Sequence, residues 1–267
     1  MNNPAIHAMV RDPGGAVIGL DFDGTLAPIV PDPDDARIHP AAPGVLAELG
    51  SLVKAVVIVT GRPVATAIRY GPGLEKVPGL VVLGHYGFER WEGGRASAPP
   101  PPPGVLHAEA ELPLLLQRLG VEGVTIEDKQ RAVAVHTRRA PDPQGTLERL
   151  REPLAKLAAA HSLVVEPGRM VLELRPPGMD KGHALDLFLA ERAARSVMFV
   201  GDDLGDLPAF AAVRASGLPG VAVCSGSAEV TELAERADLV VDGPDGVVAL
   251  LAELAAAISD SSATGAG

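Results

Sequence analysis

Cysteine is nearly missing from the 267-residue chain: Cys224 stands alone. A single thiol excludes an internal disulfide and any cysteine-based zinc site, and it fits a reducing compartment. Aromatic residues make up only 3%, too few for a surface that stacks nucleic-acid bases. Basic charge is short as well, with 23 Lys and Arg against 34 Asp and Glu, a net charge of −11. That balance argues against a phosphate-backbone binder, although a local cluster of cations can still hold a small anion. No apolar run approaches the roughly 18 residues that span a bilayer. The opening MNNPAIHAMVRDPGG lacks the apolar centre of a secretion signal. The expectation is a cytoplasmic monomer with no nucleic-acid and no membrane partner. Lysine is scarce too, at positions 54, 76, 129, 156 and 181.

What is abundant is apolar: 47% of residues, enough for a substantial core. Short runs without alternation recur at AVIGL (16–20), AVVIV (55–59), GLVVL (79–83), SVMFV (196–200), GVAVC (220–224) and DLVV (238–241). Runs of this length read as strands buried on both faces. Amphipathic Leu- and Ala-rich stretches at 43–54 and 181–195 lie between them. Strands alternating with helices imply an α/β fold, a doubly wound parallel sheet.

The middle of the chain follows another pattern. Residues 98–104, APPPPPG, are a stiff extended run unsuited to a helix or a sheet interior. Helices are expected at 105–119 and 144–161, each followed by a strand pair (124–127 with 132–137, then 162–166 with 170–174). This is an inserted α+β cap domain at 103–177, in the order αββαββ, within a core made of 1–102 and 178–267. The tail SDSSATGAG is small and polar and is expected to be disordered.

Reactive groups of open parallel sheets gather at the carboxyl ends of strands. AVIGL is followed by Asp21-Phe22-Asp23-Gly24-Thr25-Leu26, AVVIV by Thr60-Gly61-Arg62, and SVMFV by Gly201-Asp202-Asp203-Leu204-Gly205-Asp206; Lys181 opens the helix leading into that last strand. Asp21 and Asp23 share one side of an extended chain. Carboxylates crowded at one edge repel unless a cation sits between them, and hard oxygen ligands suit Mg²⁺. A carboxylate can also attack phosphorus, while Thr60, Lys181 and backbone N–H groups near Gly24 would hold the phosphoryl oxygens. Each piece alone has a plainer reading: a loop aspartate, a helix-capping turn, a surface lysine. It is their joint order at three strand ends that points to chemistry.

DFDGTLAPI (21–29), VIVTGRP (57–63), Lys181 and GDDLGD (201–206) resemble the four motifs of the haloacid dehalogenase superfamily of phosphatases. The resemblance implies that Asp21 is the nucleophile and Asp23 the general acid and then base. Thr60 and Lys181 would bind the phosphoryl group. Asp202 would ligate Mg²⁺ with Asp21 and the backbone carbonyl of Asp23, and Asp206 would support the metal or orient Lys181. More finely, DFDGTLAPIVPDPDDA, the segments Ile126-Glu127-Asp128-Lys129 and Ala134-Val135-His136-Thr137-Arg138, and Gly168–Pro176 leading to Lys181-Gly182 are similar to trehalose-6-phosphate phosphatases. This chain departs from that family at Gly205 (usually Thr), Leu207 (usually Glu) and Tyr86 (usually His).

In such an enzyme an inserted lid excludes bulk water and its closing residues choose the sugar. Lys129, His136, Arg169 and Glu173 are candidate contacts to sugar hydroxyls, with a solvated, salt-bridged sheet face as the alternative. Arg175 precedes a proline and fits a hinge. Glu89 is a candidate sugar contact. Arg62, next to Gly61, is either a phosphate contact or a helix-capping charge. The resemblance implies a sugar phosphate as the small-molecule substrate, with trehalose 6-phosphate first. Glucosyl-glycerate, mannosyl-glycerate and sucrose phosphates are rivals, and a non-catalytic sugar-phosphate sensor is the alternative of another class.

Overall fold

A computed structural model of the chain describes residues 3–30, 32, 35–129, 131–168, 170–226 and 231–265. It divides into two compact units, Met1–Ala98 with Asp180–Gly267, and Pro99–Met179.

The first unit is built on an eight-stranded sheet. Its strands are β1 (Ala16–Leu20), β2 (Ala55–Val59), β3 (Leu80–Gly84), β4 (Glu89–Glu92), β5 (Arg95–Ser97), β10 (Ser196–Gly201), β11 (Gly220–Gly226) and β12 (Leu239–Asp242). Their order is β12-β11-β10-β1-β2-β3-β4-β5, parallel from β12 through β3. The apolar runs became strands because both faces are covered: β1, β2 and β3 are buried at every residue. Ile18, Leu20, Val56, Ile58, Met198 and Val200 point to one helical layer, α1 (Pro4–Arg11), α2 (Ala42–Leu52), α3 (Val64–Tyr70) and α9 (Gly243–Gly265). Val17, Val57, Val59, Val197 and Phe199 point to the other, α6 (Lys181–Arg192), α7 (Leu207–Ala215) and α8 (Thr231–Glu235). Each such buried side chain contributes about 1.5–3 kcal/mol.

Four features of this unit depart from the sequence reading. The hairpin β4–β5 was not expected, because ERWE and RAS lack an apolar run. Its signal is the two-residue turn Gly93-Gly94, both at positive φ, the backbone that a tight hairpin of this twist requires. Helix α1 was also missed; Asn3 caps it by accepting from Ala5 N–H at 2.8 Å. Strand β12 is an edge strand with Val240 exposed, not a strand buried on both faces. The tail expected to be disordered continues α9 to Gly265, with the Ser259 and Ser262 hydroxyls donating to the carbonyls one turn back. By length and composition α9 is apolar enough to cross a membrane. Yet Val247, Leu251, Leu254 and Ile258 are buried in the core against α2 and the sheet.

The second unit is a four-stranded antiparallel sheet, β6 (Thr125–Asp128), β7 (Val133–His136), β9 (Val171–Arg175) and β8 (Val164–Gly168), in that spatial order. Helices α4 (Pro103–Leu119) and α5 (Pro143–Ala160) supply the rest of its core. Alternation sorts the sheet's two faces. Val133, Val135, Leu172 and Leu174 pack with the helices. Ala134, His136, Val171, Glu173 and Arg175 take the opposite face. The proline run does enter a helix, since Pro103 starts α4. At the first helical position its missing N–H has no intrahelical partner to lose.

Candidate active site

Asp21 follows β1, and its N–H donates to Val200 O of β10 at 2.9 Å. Asp202 follows β10. The parallel register that pairs Leu20 with Val200 therefore sets the two aspartates at adjacent strand ends. Lys181, the first residue of α6, sends its Nζ to Asp21 Oδ1 at 2.9 Å and Asp206 Oδ1 at 2.7 Å. All three side chains are 6% exposed or less. Asp206 Oδ2 accepts from the N–H groups of Asp202 and Asp203. Asp206 thus organises both the lysine and the loop after β10. Asp203 is exposed and caps the short turn at Leu204–Asp206 by accepting from Gly205 N–H.

Electrostatics follow from burial. Desolvation holds the Asp21 carboxyl well above the usual range, with Lys181 pulling it down and Asp206 and Asp202 pushing it up. Burial, then Asp203 and Asp206, raise Asp202 to about 7. Burial opposes the charged form of Lys181, yet Asp206 and Asp21 outweigh it and raise the ammonium well above its ordinary value. Oxygens of Asp21, Asp202 and Asp206 lie within 4.8 Å of one another. Three buried carboxylates facing one ammonium are short of positive charge. That deficit and the all-oxygen donor set fit a hard divalent cation such as Mg²⁺.

Asp23 is half-buried and turned to Arg62, whose Nε and Nη2 donate to Oδ2 and Oδ1 at 2.6 and 2.7 Å. The structure adds a partner for Arg62 that the sequence did not offer. Its guanidinium is a bidentate partner of Asp23, lying over the Phe22 and Tyr70 rings. Thr60 is buried at the end of β2, and its Oγ1 accepts from Arg62 N–H at 3.1 Å. Gly61 is covered by Tyr86, whose hydroxyl would lie only 2.7 Å from a Cβ on Gly61. Tyr86 occupies left-handed backbone (φ 57°), costly for a residue with a Cβ. Its N–H donates to Thr60 O and that of His85 to Arg62 O, so this strained turn braces the loop that carries Thr60. Glu89 belongs to the same brace: its Oε2 accepts from Val64 N–H at 2.8 Å, at the start of α3. The N–H of Gly24 donates to Ala27 O.

In the second unit Lys129 pairs with Glu173 at 2.5 Å, His136 with Glu127 at 2.7 Å and Arg175 with Glu166 at 2.8 Å. Arg175 is therefore a paired strand residue as well as one preceding a proline. Arg169 lies outside the described residues.

The profile of the family described as trehalose-phosphatase matches residues 19–244. The chain belongs to the trehalose-phosphatase family. A probable trehalose-phosphate phosphatase of Sinorhizobium fredii is 34% identical over 224 residues, covering 79% of each chain. A trehalose-phosphate phosphatase of Mycobacterium leprae is 34% identical over 268 residues, covering 91% of this chain, which spans 58% of that relative's length. Among solved structures, the trehalose-6-phosphate phosphatase of Aspergillus fumigatus superposes with a TM-score of 0.75 at 24% identity, over 96% of this chain and 98% of that one. A haloacid dehalogenase-like hydrolase from Bacteroides thetaiotaomicron superposes with a TM-score of 0.65 at 18% identity, over 90% and 99%. The fold is that of the haloacid dehalogenase-like phosphatases.

Proposed function

We propose that this chain hydrolyses trehalose 6-phosphate to trehalose and phosphate through an aspartyl-phosphate on Asp21. The observation that carries the reading is the buried constellation of Asp21, Lys181, Asp206 and Asp202 at the carboxyl ends of β1 and β10, in a chain of the trehalose-phosphatase family.

An Asp21 oxygen attacks phosphorus and the bond from phosphorus to the sugar oxygen breaks; that oxygen takes a proton from Asp23. Water then attacks the same phosphorus, Asp23 takes the water's proton, and the bond to Asp21 breaks to release phosphate. Arg62 holds Asp23 in place through both hydrogen bonds. Lys181 offsets charge on Asp21 and on the phosphoryl oxygens. Thr60 Oγ1 already accepts from Arg62 N–H, which leaves its own proton to donate to a phosphoryl oxygen beside Gly61. Asp21, Asp202 and the Asp23 backbone carbonyl, with Asp206 behind them, would hold Mg²⁺, which would supply charge compensation for a dianionic ester. Lys129, His136 and Glu173 of the inserted unit are the candidates to read the sugar hydroxyls.

Phosphate release from a panel of trehalose, sucrose, glucosyl-glycerate and mannosyl-glycerate phosphates tests the reading, with and without chelator. The expected result is highest kcat/KM on trehalose 6-phosphate, lost in excess chelator and restored by Mg²⁺. A better rival substrate would reassign the sugar. Full activity in chelator would remove the metal. Binding without turnover of any ester would make the chain a sensor.

A further inference from the structure

The turn after β1 closes on itself. Gly24 N–H donates to Ala27 O, and the N–H groups of Leu26 and Ala27 both donate to Phe22 O. One carbonyl of the turn reaches elsewhere. Gly24 O accepts from the hydroxyl of Ser225 at 2.7 Å, across 201 residues of sequence. Ser225 is 1% exposed and sits near the end of β11. In the sheet β10 lies between β11 and β1, and Gly201 pairs with Cys224, so Asp202 and Ser225 follow as neighbours at adjacent strand ends. The bond therefore crosses over the end of β10, where Asp202 stands. The turn is pressed onto that side chain: a Cβ on Gly24 would lie 2.0 Å from Asp202 Oδ2.

We propose that Ser225 is a positioning residue for the cation site, a latch whose hydroxyl holds the Gly24 turn down on Asp202 and so fixes the Asp202 carboxylate against Asp21. The inference rests on the reading of Asp202 as a Mg²⁺ ligand. The hydroxyl touches neither the substrate nor the cation. It fixes the plane of the Gly24–Thr25 peptide, and with it the roof over one ligand. Groups behind a metal ligand change metal affinity about 10–100-fold when lost; a latch acting through one turn belongs at the lower end.

Calorimetric titration of Mg²⁺ into the full, metal-free chain tests this without any substrate, for the parent, Ser225→Ala and Ser225→Thr. The expected result is Mg²⁺ binding about tenfold weaker in Ser225→Ala, and within about threefold of the parent in Ser225→Thr, which keeps the hydroxyl. The Mg²⁺ concentration for half-maximal phosphate release should shift in parallel, with turnover recovered at saturating Mg²⁺. If Ser225→Ala does not fold, Ser225→Cys makes the same comparison at similar volume with a weaker donor. Parent-like Mg²⁺ affinity in the variant without the hydroxyl overturns the latch, whatever the melting temperature does. So does an equal loss in Ser225→Thr, which would make packing the cause. A parent that binds Mg²⁺ yet leaves trehalose 6-phosphate intact sinks the substrate reading alone; one that binds no Mg²⁺ sinks the metal reading and the latch together.

Discussion

Two charged clusters, one in each unit, use charge in opposite ways. In the first, Lys181, Asp21 and Asp206 are stripped of water, with side chains 0–6% exposed. In the second, the pair of His136 and Glu127 keeps 35% and 53% of its side-chain surface in solvent. An exposed ion pair contributes about 0–1 kcal/mol, and its members can exchange partners with a ligand's hydroxyls at little cost. A buried cluster with more anions than cations destabilises the fold that carries it. A protein that retains such a cluster gains something else from it, which in the proposed function is a nucleophile and a charge deficit suited to a cation. The contrast teaches which charges are chemistry and which are adaptable surface.

The sharpest break comes from Asp21→Asn. An amide cannot form the acyl phosphate, so phosphate release should fall to background on every substrate. Asp23→Asn keeps the nucleophile and removes only proton transfer, so it should cost about two to four orders of magnitude. Single-turnover assays of both variants check the assignment, and parent-like activity in Asp23→Asn would overturn it.

Lys181→Met tests the burial side of the comparison. Removing one partner of a buried charged cluster costs about 3–5 kcal/mol, read by urea unfolding. Glu127→Gln, at an exposed pair, should cost under about 1 kcal/mol. Equal costs would erase the distinction between the two units.

Glu173→Ala separates sugar from phosphoryl group. If Glu173 reads hydroxyls, the partners it leaves unpaired cost about 1–3 kcal/mol, roughly a tenfold to hundredfold loss in kcat/KM for trehalose 6-phosphate. A small aryl phosphate should be hydrolysed almost as before. An equal loss on both substrates would assign Glu173 to the integrity of its own sheet, where it also holds Lys129.

The last effect is in pH. The Asp202 carboxyl titrates at about 7 in the folded chain against 3.8 as the ordinary value. The folded state therefore binds more protons than the unfolded one between those values. The metal-free protein should lose stability as pH rises through that window. Mg²⁺ needs the deprotonated form, so its stabilisation should be larger at pH 8 than at pH 5.5. Melting curves with and without Mg²⁺ at the two pH values check this; a larger Mg²⁺ shift at the lower pH would exclude Asp202 as the ligand that titrates.

Much of this was legible in the chain. The apolar runs at 16–20, 55–59 and 196–200 became β1, β2 and β10 because continuous hydrophobicity satisfies a strand covered on both faces. The residues after them, Asp21, Thr60 and Asp202, stand at strand ends by necessity of chain order. Lys129 and Glu173 were singled out as polar residues of strand pairs, and antiparallel pairing brought them together. The hairpin β4–β5 was not legible from its polar strands, and the tail of α9 was masked by small polar residues whose helix is stabilised by upstream packing.

The order of residues along the chain thus determined the strands, their carboxyl ends and the chemical types gathered there, since periodicity and local backbone preference act over a few neighbours. Only the tertiary structure decided the partners. Arg62 went to Asp23 and not to a helix terminus, Glu89 to Val64 N–H, Asp206 to Lys181, and Ser225 to Gly24 across 201 residues. Those pairings depend on which strands lie side by side and on how completely water is excluded between them. Both are properties of the packed sheet that no short stretch of sequence contains.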